Sequence, residues 1–358
     1  MTIFVLRHLT RSRMFCCLSP RWTMARDAVS TVDRLLSQVA PSIESPDQKI
    51  TVVGAGQVGM ACTYSILTQG IYSNFCLIDS NEDRCKGEML DLQHGAPFLR
   101  SPKIESGSDI AMSEGSRIVI ITAGVRSLVG ETRLQLVDRN VKIFKDLIPK
   151  IAKGSPDCIL LIISNPVDVL TYISWKLSGF PKNRVIGSGT NLDSMRFRVL
   201  LAQKLGLSPE SVHGFIIGEH GDSSVPVWSG VNVAGVTLKE LNPTIGTEQD
   251  TENFVRLHAD VVNSAYEVIK LKGYTSWALG LSVASISHTL LNNTNKIHAV
   301  STLIQGHHGI EEEVFLSLPC VMADNGVTHI INQNLTPDEA EKLRKSAATI
   351  SQIQKGLL

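Results

Sequence analysis

No run of eighteen apolar residues occurs in the 358-residue chain, so nothing reads as a bilayer-spanning helix and no membrane partner is expected. Net charge is also missing: Lys+Arg and Asp+Glu both number 34, which argues against general affinity for nucleic acid or anionic lipid. The seven cysteines (16, 17, 62, 76, 85, 158 and 320) form no Cys-x-x-Cys pair, and the ten histidines form no His-x-x-x-His or His-Glu-x-x-His pattern. Reduced, mostly buried thiols in a reducing compartment are expected, and no metal site. His307-His308 beside Gly309 reads as a polar loop rather than a ligand pair. Acidic residues are absent from the first 26 positions, which hold Arg7, Arg11, Arg13, Arg21 and Arg26. That composition suits a mitochondrial transit peptide, while Met24-Ala25 offers a second start and a plain leader. A cytoplasmic or mitochondrial location is expected.

Hydrophobic content of 43% and charged content of 19% belong to an ordinary globular chain, here long enough for two domains. After the leader, Val29, Val32, Leu35, Leu36 and Val39 recur at helical spacing, and Pro41 and Pro46 break the pattern. This predicts an N-terminal arm over 27–47. A dinucleotide-binding domain over 48–188 and a substrate-binding domain over 189–358 follow.

Lys49 to Val53 reads as a short strand running directly into Gly54-Ala55-Gly56-Gln57-Val58-Gly59. Alone, a G-x-G-x-x-G is weak evidence. Here a helical pattern follows through Gln69, then a second strand, Phe75 to Ile78, ending in Asp79 twenty residues after Gly59. Glycines at these places permit a tight turn, close approach to a pyrophosphate and close helix packing, and the acid suits a ribose diol. An ionised Asp79 would repel a 2′-phosphate, which favours NAD over NADP.

Ile118 to Thr122 and Ile159 to Ile163 are further apolar strands, separated by the amphipathic stretch Val141 to Ile151. Alternation of this kind predicts an α/β fold with a doubly wound parallel (Rossmann) sheet, followed by an α+β substrate domain. Asn165 stands at a strand's carboxyl end, where ligands bind, and also reads as a helix N-cap before Pro166. Between Val125 and Arg133, Arg126 and Arg133 bracket Gly130: a mobile lid that brings a cation to a substrate, or an ordinary surface loop.

The segment Gly218-Glu219-His220-Gly221 follows the apolar run Phe215-Ile216-Ile217 and reads as a strand ending in a tight turn that projects the imidazole into open space. Twenty-seven residues upstream, Asp193 and Arg196 are spaced i, i+3 and share one helix face. Acid, base and fixed cation are thereby offered to one site. Beyond Pro226 the expectation is short strands and long helices, Asn253 to Lys272 and Pro337 to Gln354, with Gly273 to Trp277 between two helices.

Gly54 to Met60, Asp91 to Gly95, Ser164 to Asp168, Asn191 to Ser194, Gly218 to Gly230 and Gly273 to Trp277 together resemble the L-lactate dehydrogenase family, within the lactate/malate dehydrogenase superfamily. The likeness spans about residues 28 to 356 and is strongest to vertebrate members; the leader resembles that of a testis-associated A-like branch. It implies NADH-dependent reduction of pyruvate or a similar 2-oxo acid, within glycolysis and pyruvate metabolism, by a homotetramer. It further implies His220 as proton donor and acceptor oriented by Asp193. Arg196 would grip the substrate carboxylate as a fork. Arg133 would polarise the keto oxygen, Asn165 and Thr275 would line the pocket, and Arg126 would lie near the cofactor phosphates. The lid departs from the family's usual Arg-Gln-Gln-Glu, reading Arg126-Ser127-Leu128-Val129. Leu128 cannot pair with a second carboxylate, so malate chemistry is disfavoured and longer aliphatic 2-oxo acids are expected to be tolerated. Thr190 stands where a cysteine is common, and Ala299 where a proline is usual. A catalytically silent structural relative is the competing reading, and the retained charge cluster argues against it.

Overall fold

The computed structural model describes residues 48–125 and 133–357, with the side chains of Arg133 and Leu134 outside that description. The expected leader, the arm and lid residues 126–132 therefore lie outside the described residues. Six parallel strands form the first half: β1 Lys49–Val53, β2 Asn74–Ile78, β3 Lys103–Gly107, β4 Ser116–Ile121, β5 Ile159–Ile162 and β6 Val185–Gly187. Their spatial order, β3-β2-β1-β4-β5-β6, reverses direction between β1 and β4, where a crevice opens at the strands' carboxyl ends. Four helices make the crossovers: α1 Gln57–Thr68, α2 Glu82–His94, α3 Arg133–Gly154 and α4 Val167–Ser178.

The sheet is apolar because both faces are covered, and strand periodicity sorts its residues between two cores. Ile118, Ile120, Ile159 and Leu161 enter one core, whereas Val119, Ile121, Leu160 and Ile162 enter the other. All eight are fully buried, each contributing about 2 kcal/mol of hydrophobic stabilisation.

The second half begins with α5 Asn191–Leu205 and passes through short strands β7 Val212–His213, β8 Ile216–Ile217, β9 Val225–Pro226, β10 Asn232–Val233 and β11 Val236–Thr237. Helices α6 Leu238–Leu241, α7 Val255–Lys272 and α8 Trp277–Asn292 follow, then β12 Ile297–Leu303, β13 Phe315–Ala323, β14 Gly326–Ile330 and α9 Pro337–Gln354. Strands β12 to β14 extend the parallel sheet in antiparallel sense into one nine-stranded sheet. The junction is narrow, a single register pair joining Ser301 of β12 to Gly187 of β6. A third core, with Phe197, Leu201, Ile216, Trp228, Phe254 and Val261, packs α5 and α7 around β8.

Candidate active site

The glycine-rich turn sits at the crevice between β1 and β4. Gly54 has φ +105°, and a Cβ there would lie 2.7 Å from the Ala123 nitrogen. At Gly59 a Cβ would fall 1.9 Å from the Gly54 carbonyl oxygen. Both glycines are therefore required by the protein's own packing. Gly56 is different, since a Cβ there would meet nothing within 4 Å. It is the N-cap of α1, with no side-chain cap and no acidic residue in the first turn. A helix start beside an open glycine fits a dinucleotide pyrophosphate. Asp79, at the end of β2, accepts from the Ala55 N–H at 2.8 Å and from the Asn81 N–H at 2.9 Å. The four sequence-predicted cofactor residues Gly54, Gly56, Gly59 and Asp79 thus lie where β1 runs into α1 and where β2 ends, tied by the Asp79–Ala55 contact.

On the other half, α5 and β8 are stitched together. Ser194 Oγ accepts from the Ile216 N–H at 3.0 Å, and Thr190 Oγ1 donates to the Ile216 carbonyl at 2.6 Å. Beyond β8, the Gly218 and Ser317 backbones exchange two hydrogen bonds of 2.9 Å, and the Glu219 N–H donates to Ser346 Oγ on α9. The next residue is His220. Its Nδ1 lies 2.6 Å from Asp193 Oδ2, and the other Asp193 oxygen accepts from Arg196 Nη1 at 2.9 Å. Imidazole, carboxylate and guanidinium therefore form one chain of contacts. The imidazole is not in open space: its side chain is 28% exposed, enough for one face to meet a ligand.

Burial of Asp193 works against its ionisation, but the opposing pull of His220 and Arg196 prevails and holds its carboxyl below the usual range. The Asp193 charge raises the His220 pKa against the cost of burial, with Asp168 adding to the rise and Arg196 opposing it. With Nδ1 engaged, Nε2 is the nitrogen left for substrate.

Asn165 is exposed at the end of β5. It is not the helix N-cap: Pro166 occupies that place, although Asn165 Oδ1 accepts from the Val167 N–H at 3.3 Å. Proline at N-cap rather than N1 shifts the helix start by one residue. Thr275 is half-buried in the segment between α7 and α8. Arg126 lies outside the described residues, and Arg133 is described only as the first residue of α3.

Three residues of the site were not read from sequence. Asp168, in the first turn of α4, accepts from the His220 N–H at 2.8 Å. Asn140 of α3 is buried and ties Val125, just before the lid, to the Asn165 carbonyl. His298 of β12 meets Asn191 Oδ1 at 3.2 Å and Thr289 Oγ1 at 2.9 Å, supporting the start of the helix that holds Asp193. A cavity of about 340 Å³ lies behind the catalytic loop, lined by Asp222, Ser224, His258 and Lys342 among others, but not by His220 or Arg196.

A sheet whose switch point holds a dinucleotide turn, in a chain that also links a histidine through a carboxylate to a guanidinium, defines a class: the two-part α/β dehydrogenases. Residues 48–187 match the family model for the lactate/malate dehydrogenase NAD binding domain, and residues 190–357 that for the lactate/malate dehydrogenase alpha/beta C-terminal domain. The chain is 59% identical over 326 residues to the L-lactate dehydrogenase B chain of Homo sapiens, covering 91% of this chain and 98% of that one. To the B chains of Gallus gallus and Sceloporus undulatus it is 58% and 57% identical, over 91% of its length and 98% and 97% of theirs. The chain belongs to the lactate/malate dehydrogenase family, and its cofactor is NAD.

Proposed function

We propose that this chain is an NAD-dependent L-lactate dehydrogenase that interconverts pyruvate, or a closely related 2-oxo acid, and the 2-hydroxy acid. The observation behind this reading is the continuous contact from His220 through Asp193 to Arg196. NAD supplies the hydride chemistry when bound, with Gly54, Gly56, Gly59 and Asp79 as the residues that hold it. Arg196, already oriented by Asp193, anchors the substrate carboxylate through its remaining N–H groups. His220 Nε2 gives its proton to the keto oxygen as C2 is reduced, and takes it back in lactate oxidation. Asp193 accepts from Nδ1 and fixes ring and tautomer throughout. Asn165 and Thr275 line the pocket, Arg133 polarises the keto oxygen and Arg126 meets the cofactor phosphates.

Steady-state NADH oxidation with pyruvate tests the proposal. His220→Asn should lower kcat by at least about a thousandfold while NADH binding, read by fluorescence, stays within a few-fold. A purified chain that binds NADH yet reduces no 2-oxo acid would instead support the silent structural reading. A panel of 2-oxo acids tests the lid: Leu128 predicts 2-oxobutyrate over oxaloacetate in kcat/KM.

Association into a homotetramer belongs to the same proposal. A Cβ at Gly280 would lie 2.5 Å from the Ala61 carbonyl oxygen, so α1 and α8 pack closely. Tyr64, Trp277 and Leu281 on these helices are 53%, 61% and 57% exposed, an apolar surface suited to another copy. A monomeric mass in light scattering would remove this part. Fractionation of tagged protein distinguishes a cytoplasmic from a mitochondrial location.

A further inference from the structure

His220 is held from two sides by carboxylates, and the function above uses only one. Asp168 is 2% exposed, and its Oδ2 accepts from the His220 backbone N–H at 2.8 Å across 52 residues of sequence. Its place in the first turn of α4 suits a carboxylate, because a helix N-terminus favours negative charge. That does not explain why a charged group is buried against the catalytic loop, since an asparagine accepts the same hydrogen bond without the desolvation cost.

The neighbouring imidazole supplies a reason. The charged groups described around the imidazole are Asp193 and Arg196 from α5, Asp168 from α4, and on its own loop Glu219, whose carboxylate accepts from Ser223. Asp168 adds its negative charge to that of Asp193 in favouring a proton on the imidazole, and Arg196 opposes them.

We propose that Asp168 is a second positioning residue for His220, which fixes the catalytic loop through the His220 peptide N–H and whose charge favours the proton-bearing form of the imidazole. This rests on the dehydrogenase reading above and deepens it. The Asp193 contact orients the ring, whereas the Asp168 contact orients the backbone from which the ring projects. Together they leave the imidazole little freedom to swing away from substrate. His220 titration then depends on a group that touches neither its ring nor the substrate.

Asp168→Asn keeps the acceptor and removes the charge; Asp168→Ala removes both. For pyruvate reduction, kcat/KM falls as pH rises through the His220 pKa. In the asparagine variant this midpoint should move to lower pH by about half a unit or more. Pyruvate KM below the midpoint should remain within about twofold of wild type, because Arg196 is untouched. The alanine variant should in addition lose kcat by about tenfold or more at every pH, through the freed loop. An asparagine variant whose pH profile superimposes on that of wild type overturns the proposal, whatever happens to its thermal stability. Should that variant fail to bind NADH, Asp168→Ser, smaller and also able to accept the bond, carries the same measurement. Failure of both to bind NADH assigns the residue to folding alone and equally overturns the proposal. Wild-type activity with pyruvate is the separate control: its absence would sink the dehydrogenase reading itself, not this refinement of it.

Discussion

His220 takes up its proton more readily than a free imidazole because the Asp193 charge outweighs the cost of burial. Pyruvate reduction should therefore fall and lactate oxidation rise as pH climbs through a midpoint above the ordinary histidine value, and rate profiles in the two directions should cross there. In stability the sign is the same: the contribution is complete below about pH 6.5 and is lost as pH rises through the raised pKa. His298 behaves oppositely. Burial, helped by Lys296, pushes its pKa down to about 4, so the folded chain resists a proton that the unfolded chain accepts. Stability should then fall with pH between about 6.5 and 4, by up to about 3 kcal/mol. Urea unfolding at pH 7.5 and pH 4.5 should show this loss in wild type and not in His298→Gln. His220, Asp193 and Arg196 were readable in the sequence because a glycine turn and an i, i+3 spacing are local signals. Asp168, Asn140 and His298 were not, since each acts on a partner that only the folded topology brings near. Asn191, for example, lies 107 residues from His298.

At the scale of the element, the two glycines at either end of Gly56-Gln57-Val58-Gly59 answer to different demands. Gly59→Ala drives a methyl into the Gly54 carbonyl and should cost about 1 to 3 kcal/mol of stability in thermal unfolding. Gly56→Ala meets no protein atom and should unfold like wild type while losing about tenfold or more in NADH affinity, by fluorescence titration. Periodicity located most elements, and the C-terminal helix spans Pro337 to Gln354 as read, helped by a Thr336–Glu339 capping box. Ends were less legible where polar residues enter a strand or a special dihedral intervenes. Strand β4 begins at Ser116, hidden by Ser116 and Arg117, and ends before Thr122, whose hydroxyl donates to the Gly54 carbonyl at 2.7 Å. Helix α7 starts at Val255 rather than Asn253, because Asn253 has φ +61° and cannot lie in a right-handed helix. Thr190, conspicuous in sequence as a departure, is the donor that ties α5 to β8.

For the whole molecule, the parallel sheet was foreseeable from apolar runs alternating with helices, but the place of β12 to β14 was not. Antiparallel strands on the edge of a Rossmann sheet read in sequence like any other buried strands. Their pairing depends on the meeting of Ser301 with Gly187, where a Cβ on the glycine would come within 2.8 Å of Ser301 Cβ and 2.5 Å of Thr171 Oγ1. The seam does not join the halves alone, since one core unites Val53 and Ile121 with Leu316 and Leu318, and another unites Ile50 and Ile118 with Val300 and Met322. Scanning calorimetry on residues 48–358 should record a single endotherm, and a methyl wedged in by Gly187→Ala should move that endotherm to lower temperature as one transition, the shared cores carrying both halves through it together.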